Sequence, residues 1–176
     1  MQHSPLGRRT FLSATAATAL TAGAAARPTP SHAAEDGSEF QFEITRSDEE
    51  WQSRLSREEY VILRRGSTEL PHTSPLVTET AEGTYCCKGC DLTVYSSTWK
   101  VPLDIGWVFF SHAEPRSVLS SIDGDPPEGM GDDGPGAMIE VHCRRCSSHL
   151  GHIVFAKGKL VHCINGAALN FRRADA

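Results

Sequence analysis

Cysteine spacing constrains this 176-residue chain more than any other feature. Cys87-Lys88-Gly89-Cys90 and Cys143-Arg144-Arg145-Cys146 are two copies of the same tight turn, and a lone Cys163 follows them. Each turn can offer two thiolates to one ion, and two such turns close a tetrahedral structural zinc site with no open position. The first copy follows a β-type run, Gly83-Thr84-Tyr85, and the second ends another, Met138-Ile139-Glu140-Val141-His142, as zinc knuckles on hairpins do. The stretch between Cys90 and Cys143 exceeds the spacing of a small zinc ribbon, so a shared metal would tie together distant parts of a larger β domain. Two disulfides are the competing reading, and an export signal keeps it open.

That signal is Gly7-Arg8-Arg9-Thr10-Phe11-Leu12, ahead of a run of Ala, Thr and Leu that reaches Ala26. Twin arginines before a mildly apolar stretch, with small residues at Ala24 and Ala26 and again at Ser31 and Ala33, read as a twin-arginine signal peptide over residues 1–34. The stretch is too short for a membrane span and, with Ser13, Thr15, Thr18 and Thr21, too polar. The expectation is an exported protein, periplasmic or extracellular. Export in the folded state suits a domain that takes up its metal in the cytoplasm, where bound thiolates are protected before they meet an oxidising space.

Without the three Arg of the leader, the formal net charge of −5 becomes −8, and a chain this acidic has no basic stripe for nucleic acid. The roughly 140 residues beyond the leader suffice for one domain with a core. Residues 35–46 read as a polar lead-in and 47–172 as the domain. Within it, residues 123–136 hold five Gly and three Pro, a density that leaves only a long surface loop.

Two helices open the domain. Ser47 and Glu50 make a capping-box pattern ahead of Trp51 and Leu55, which share a face at i, i+4. Ser56 and Glu59 repeat it before Tyr60, Ile62 and Leu63, and Gly66 ends the second helix. From Gly83 onward the texture is of short β runs: 83–87, 92–95, 106–110, 137–143, 150–155, 159–164 and 167–172. Short runs divided by turn residues predict a mainly β fold, with two helices leaning on a sandwich or open barrel of antiparallel sheets.

In order and spacing, the chain resembles the methionine-R-sulfoxide reductases. The resemblance rests on Trp51, Leu55, Tyr60, Leu63-Arg64, Thr68-Glu69 and Pro71, then on Gly83-Thr84-Tyr85 with Cys87 and Cys90, Ser96-Ser97 with Lys100, and Gly106-Trp107 with Phe110. It continues through Glu140-Val141 with Cys143 and Cys146, His149-Leu150-Gly151-His152, Cys163-Ile164-Asn165, and Leu169 with Phe171. What it implies is a fold of two twisted antiparallel sheets with one structural Zn2+ on Cys87, Cys90, Cys143 and Cys146. It further implies a nucleophile at Cys163, a substrate-methyl pocket and acid groups at Trp107, His149 and His152, and a further active-site position at Asn165.

Those residue types suit the chemistry. Reducing a sulfoxide needs a thiolate to attack sulfur and an acid to protonate the departing oxygen, leaving a sulfenic acid on the enzyme. Imidazoles near a Cys can depress its pKa and supply the proton, and an indole offers an apolar face to an S-methyl group. The chain also departs from the family pattern. No carboxylate lies between His152 and Cys163, Val161 stands where the family has Arg, and Trp107-Val108-Phe109-Phe110 makes a more apolar wall than the family's Trp-Pro-Ser-Phe. His162 is new, Gly166 replaces Ser, and Ile105 occupies the place of a resolving Cys that many relatives carry. Once four thiols are assigned to zinc, Cys86 is the candidate resolving partner for Cys163, with an external thiol as the other means of regeneration.

The resulting expectation is thiol-dependent reduction of methionine-R-sulfoxide, protein-bound or free, through a Cys163 sulfenic acid. Its partners would be methionine-sulfoxide-containing proteins or small sulfoxides and a thioredoxin-like thiol reductant. The departures also predict weakened activity, and they leave two alternatives: an enzyme diverted to another sulfur compound, or a non-catalytic zinc-stabilised binding module.

Overall fold

The computed structural model describes residues 40–124 and 137–175. The expected leader, and most of the expected Gly/Pro-rich loop, lie outside the described residues. No helix among the described residues is long and apolar enough to cross a membrane.

Both capping boxes form. Ser47 Oγ accepts from Glu50 N at 3.2 Å while Glu50 Oε2 accepts from Ser47 N at 2.8 Å, which starts α1 (Asp48–Arg54). The same reciprocal pair at Ser56 and Glu59 starts α2 (Arg57–Arg65), and Gly66 ends it at φ 66°. Trp51 is buried between the guanidinium groups of Arg46 and Arg64, which lie 4.8 and 4.6 Å from its ring centroid. Residues 40–46, read from sequence as a polar lead-in, pack onto the second cysteine turn: Ile44 N donates to Arg145 O at 3.0 Å, and Phe42 meets the His142 ring edge-on.

Among the described residues nine strands form two sheets, antiparallel as the sequence predicts. The three-stranded sheet has the order β2 (Thr93–Ser96), β1 (Gly83–Cys87), β9 (Leu169–Arg173). The six-stranded sheet has the order β3 (Lys100–Val101), β4 (Val108–Phe110), β8 (Lys159–Ile164), β7 (His149–Ala156), β6 (Ile139–Cys143), β5 (Val118–Ile122). Sequence texture misses β3 and β5. The first is two residues long, and the second is an edge strand whose last three residues are exposed, so it carries no inward apolar alternation and is held by pairing with β6.

The core lies where the sheets meet. Tyr95 stacks on Phe110 with ring centroids 4.2 Å apart, and Tyr85 meets the same Phe110 edge-on at 5.0 Å. Strand alternation then decides what the other face carries. Val108, Phe110 and Ile164 belong to the core cluster, so Phe109 and Cys163, one residue off, project from the opposite face of the six-stranded sheet.

Candidate active site and cysteine cluster

One row of the six-stranded sheet assembles the reactive groups. Directly paired residues in antiparallel strands share a face. Phe109 pairs with Cys163, Cys163 with His152, His152 with Glu140, and Glu140 with Ser121, so five strands contribute one continuous row. An irregularity in the β6–β7 pairing at Val141/His142 brings His149 into it as well, with its ring centroid 5.1 Å from that of His152. Gly151 makes the close pairing possible: a Cβ there would lie 2.1 Å from the Cys163 carbonyl oxygen.

Two cavities adjoin Cys163. One, of about 170 Å³, is lined by Thr68, Trp107, Met138, Gly151, His152, Val154, Cys163 and Asn165. Of the five residues expected at the site, the structure thus brings Cys163, His152, Trp107 and Asn165 together, while His149 stands one ring behind. The second cavity, about 230 Å³, shares Trp107, Met138, Val154 and Cys163 and extends along β7.

Glu69 holds this arrangement. Its buried carboxylate accepts from Gly166 N at 2.7 Å and Ala167 N at 2.8 Å, its carbonyl accepts from Trp107 Nε1 at 3.2 Å, and its N–H donates to Asn165 Oδ1 at 3.0 Å. Asn165 Nδ2 in turn donates to Leu150 O at 3.1 Å, so the amide serves the backbone from both ends. Burial raises the Glu69 pKa, opposed by the N–H groups of Ala167 and Gly166. Gly106 fits Trp107 against this loop: at φ 106°, a Cβ would meet Pro71 Cβ at 2.4 Å.

Carboxylates reach both imidazoles, although none lies between His152 and Cys163 in sequence. Glu140 Oε1 is 2.8 Å from His149 Nδ1, and Asp123 Oδ2 is 2.9 Å from His152 Nε2. They come from neighbouring strands and from the end of β5, where no linear pattern places them beside the histidines. The acidic partner on His149 makes Nδ1 the protonated nitrogen, which leaves Nε2 a lone-pair acceptor, buried and without a hydrogen-bond partner among the described residues. Burial lowers the His149 pKa, and Glu140 only partly offsets it, which favours the neutral ring.

Cys163 departs from expectation. Burial, with a smaller contribution from the Glu69 charge, pushes its thiol up to about 12, rather than down as the neighbouring imidazoles alone would suggest. Cys86 is fully buried in the three-stranded sheet, with Sγ 3.6 Å from Thr93 Oγ1, and lines neither cavity beside Cys163. His162 turns to the core side and meets the Tyr95 hydroxyl through Nδ1 at 3.0 Å.

The four remaining cysteines converge. Cys87 and Cys146 Sγ are 3.7 Å apart, Cys90 and Cys143 Sγ are 3.5 Å apart, and all four sulfurs lie within 4.8 Å of one another. Four thiolates at a metal–sulfur distance of about 2.3 Å stand about 3.8 Å apart at the corners of a tetrahedron, so the cluster can hold a metal ion. Neither pair forms a disulfide. The two turns are built alike: Cys87 N donates to Leu92 O and Cys143 N to Ser148 O, both at 2.8 Å, and Asp91 and Ser147 follow at φ 65° and 59°. One turn joins β1 to β2 and the other joins β6 to β7, so the cluster clasps the two sheets together.

A SelR domain model matches residues 55–173. The chain is 35% identical over 136 residues to peptide methionine sulfoxide reductase B3 of Arabidopsis thaliana, covering 74% of this chain and 72% of that one. It is also 35% identical over 136 residues to peptide methionine sulfoxide reductase MsrB of Leptospira interrogans, covering 75% and 98%. Peptide methionine sulfoxide reductase B5 of Oryza sativa is 34% identical over 135 residues, covering 74% and 92%. With its fold, its cysteine cluster and these matches, the chain belongs to the SelR-domain family of B-type peptide methionine sulfoxide reductases.

Proposed function

We propose that the protein reduces the R epimer of methionine sulfoxide to methionine, with Cys163 as nucleophile and an external thiol as electron donor. The observation that carries this is the row Phe109, Cys163, His152, Glu140, with Trp107 and Asn165 closing a cavity over the sulfur. In this reading the apolar face of Trp107 receives the S-methyl group and His152 faces the sulfoxide oxygen.

Because the resting Cys163 thiol is protonated, the proton has to leave as substrate reacts. His152 passes it to the sulfoxide oxygen while the Cys163 sulfur attacks the substrate sulfur. The oxygen moves to Cys163 as a sulfenic acid, the substrate sulfur gains two electrons, and methionine leaves. One external thiol condenses with the sulfenic acid, releasing water and forming a mixed disulfide, and a second displaces Cys163 as a free thiol. The need for an external donor, such as a thioredoxin-like protein, is supported by the burial of Cys86 away from the reactive row. Glu140 and Asp123 orient the two imidazoles and supply the carboxylates that the strand before Cys163 lacks.

Four soft thiolate donors in a closed tetrahedron suit zinc, held by Cys87, Cys90, Cys143 and Cys146, which would stabilise the fold and take no part in the chemistry. Export through the twin-arginine route is proposed on Arg8-Arg9 and the alanine-rich stretch after them. Recovery of full-length protein only from the cytoplasmic fraction would rule it out.

The defining assay follows separate R and S methionine sulfoxide epimers with dithiothreitol as reductant. Turnover of R alone, abolished by Cys163→Ser, is the expected result. Turnover of neither epimer by the wild-type protein would overturn the proposal.

A further inference from the structure

We infer that the second cavity beside Cys163 is a subsite for a large apolar side chain next to the oxidised methionine of a peptide, an inference that rests on the function proposed above. The cavity of about 230 Å³ lies across Trp107 and Cys163 from the one that takes the sulfoxide, and the two share Met138 and Val154. A substrate atom at Cys163 therefore has apolar space on one side and the polar groups of His152 and Asn165 on the other. Ile105, Phe109 and Phe155 complete the second wall, and Lys157 is the one charged residue in it. An apolar cavity of about 150 Å³ already admits benzene, so this one accepts a leucine or phenylalanine side chain.

Its outer end favours a peptide over a small sulfoxide. Phe155, which lines the cavity near the β7–β8 turn, is 43% exposed and carries the apolar wall out to the surface. A small aryl or alkyl sulfoxide would be contained at Cys163 and leave that surface uncovered, whereas a chain running from the cavity along the hairpin covers it. Lys157, in the tight turn between β7 and β8 at φ 49°, stands where such a chain leaves the apolar wall.

The test uses two short peptides carrying the R epimer of methionine sulfoxide, one flanked by leucines and one by serines, with dithiothreitol as reductant. The leucine peptide is expected to show kcat/KM about tenfold higher, mostly through a lower KM. Phe155→Asp, at a half-exposed position outside the sulfoxide cavity, is expected to remove that advantage while leaving the serine peptide within about twofold of wild type. Equal kcat/KM for the two peptides would overturn the inference and leave the function standing. Methyl phenyl sulfoxide reduced as efficiently as the leucine peptide would also overturn it, because the cavity would then serve the sulfoxide's own substituent. If neither peptide is reduced, the function fails, and binding of the same peptides to the Cys163→Ser protein decides the inference. Tighter leucine-peptide binding, lost on adding Phe155→Asp, upholds it, and equal or absent binding overturns it.

Discussion

At the two knuckles, four cysteine sulfurs stand within 4.8 Å of one another at the ends of two hairpins; at Cys163, a single thiol sits within a strand, between a phenylalanine and a histidine, with no second cysteine lining its cavities. The same side chain serves opposite ends. Clustered thiols can hold a fold together by sharing an ion, whereas burial favours the neutral form of an isolated, half-buried thiol, which in the proposed mechanism is the form that meets substrate. The difference lies in what surrounds each sulfur, and perturbing the surroundings should separate the two regions.

The largest effect is expected at the knuckles. Cys143→Ser, or stripping metal with a strong chelator, should cost most or all of the native fold, because structural zinc binding to four-ligand peptides is worth about 10–16 kcal/mol of folding free energy. Thermal unfolding followed by circular dichroism, with metal content measured alongside, checks this. Cys163→Ser should leave the same melting curve nearly unchanged, since that sulfur holds nothing.

A smaller effect is expected from the carboxylates behind the histidines. Glu140→Gln should lower kcat about tenfold or more, since His149 is buried and Glu140 fixes its tautomer. Asp123→Asn should act more weakly, because Asp123 is 57% exposed and water can substitute for it. Steady-state kinetics on both variants, with KM against kcat resolved, would show the order reversed if Asp123 were the principal partner.

These carboxylates also show what a sequence can reveal. The capping boxes, the αL glycine after α2 and the paired Cys-x-x-Cys turns are local patterns, and local hydrogen bonds fix them whatever the rest of the chain does. Cys163, His149 and His152 are legible only in relation to one another, because the proposed chemistry uses all of them. The contributions of Glu69, Glu140 and Asp123 depend on strand register and on a loop that crosses back over Trp107. Thr68-Glu69 is visible as a motif, but nothing in it tells that the carboxylate caps Gly166 and Ala167 nearly a hundred residues away. The raised thiol at Cys163 is likewise a property of burial, and burial at a strand's outward face is set by what covers it.

The smallest effect concerns pH. The folded-state pKa of Cys163, about 12, lies above the ordinary thiol range, so the neutral thiol favours the fold at low and neutral pH. That contribution is fully present below the unfolded value near 8.5 and is lost as pH rises toward about 12. Correspondingly, alkylation of Cys163 in the folded protein should be slow at pH 7 and rise about tenfold per pH unit through the alkaline range. A plateau near pH 8 would show an ordinary, unburied thiol.

The central claim is that oxygen passes from the substrate sulfur to Cys163. The most direct measurement is a single turnover: fully reduced protein mixed with excess R methionine sulfoxide peptide and no added thiol, then analysed by intact and peptide mass spectrometry. The account predicts one methionine formed per chain, with one oxygen gained on Cys163 and none on the four knuckle cysteines. Methionine formed in equal amount by Cys163→Ser protein, or oxidation found at the knuckles while Cys163 stays a thiol, would contradict it.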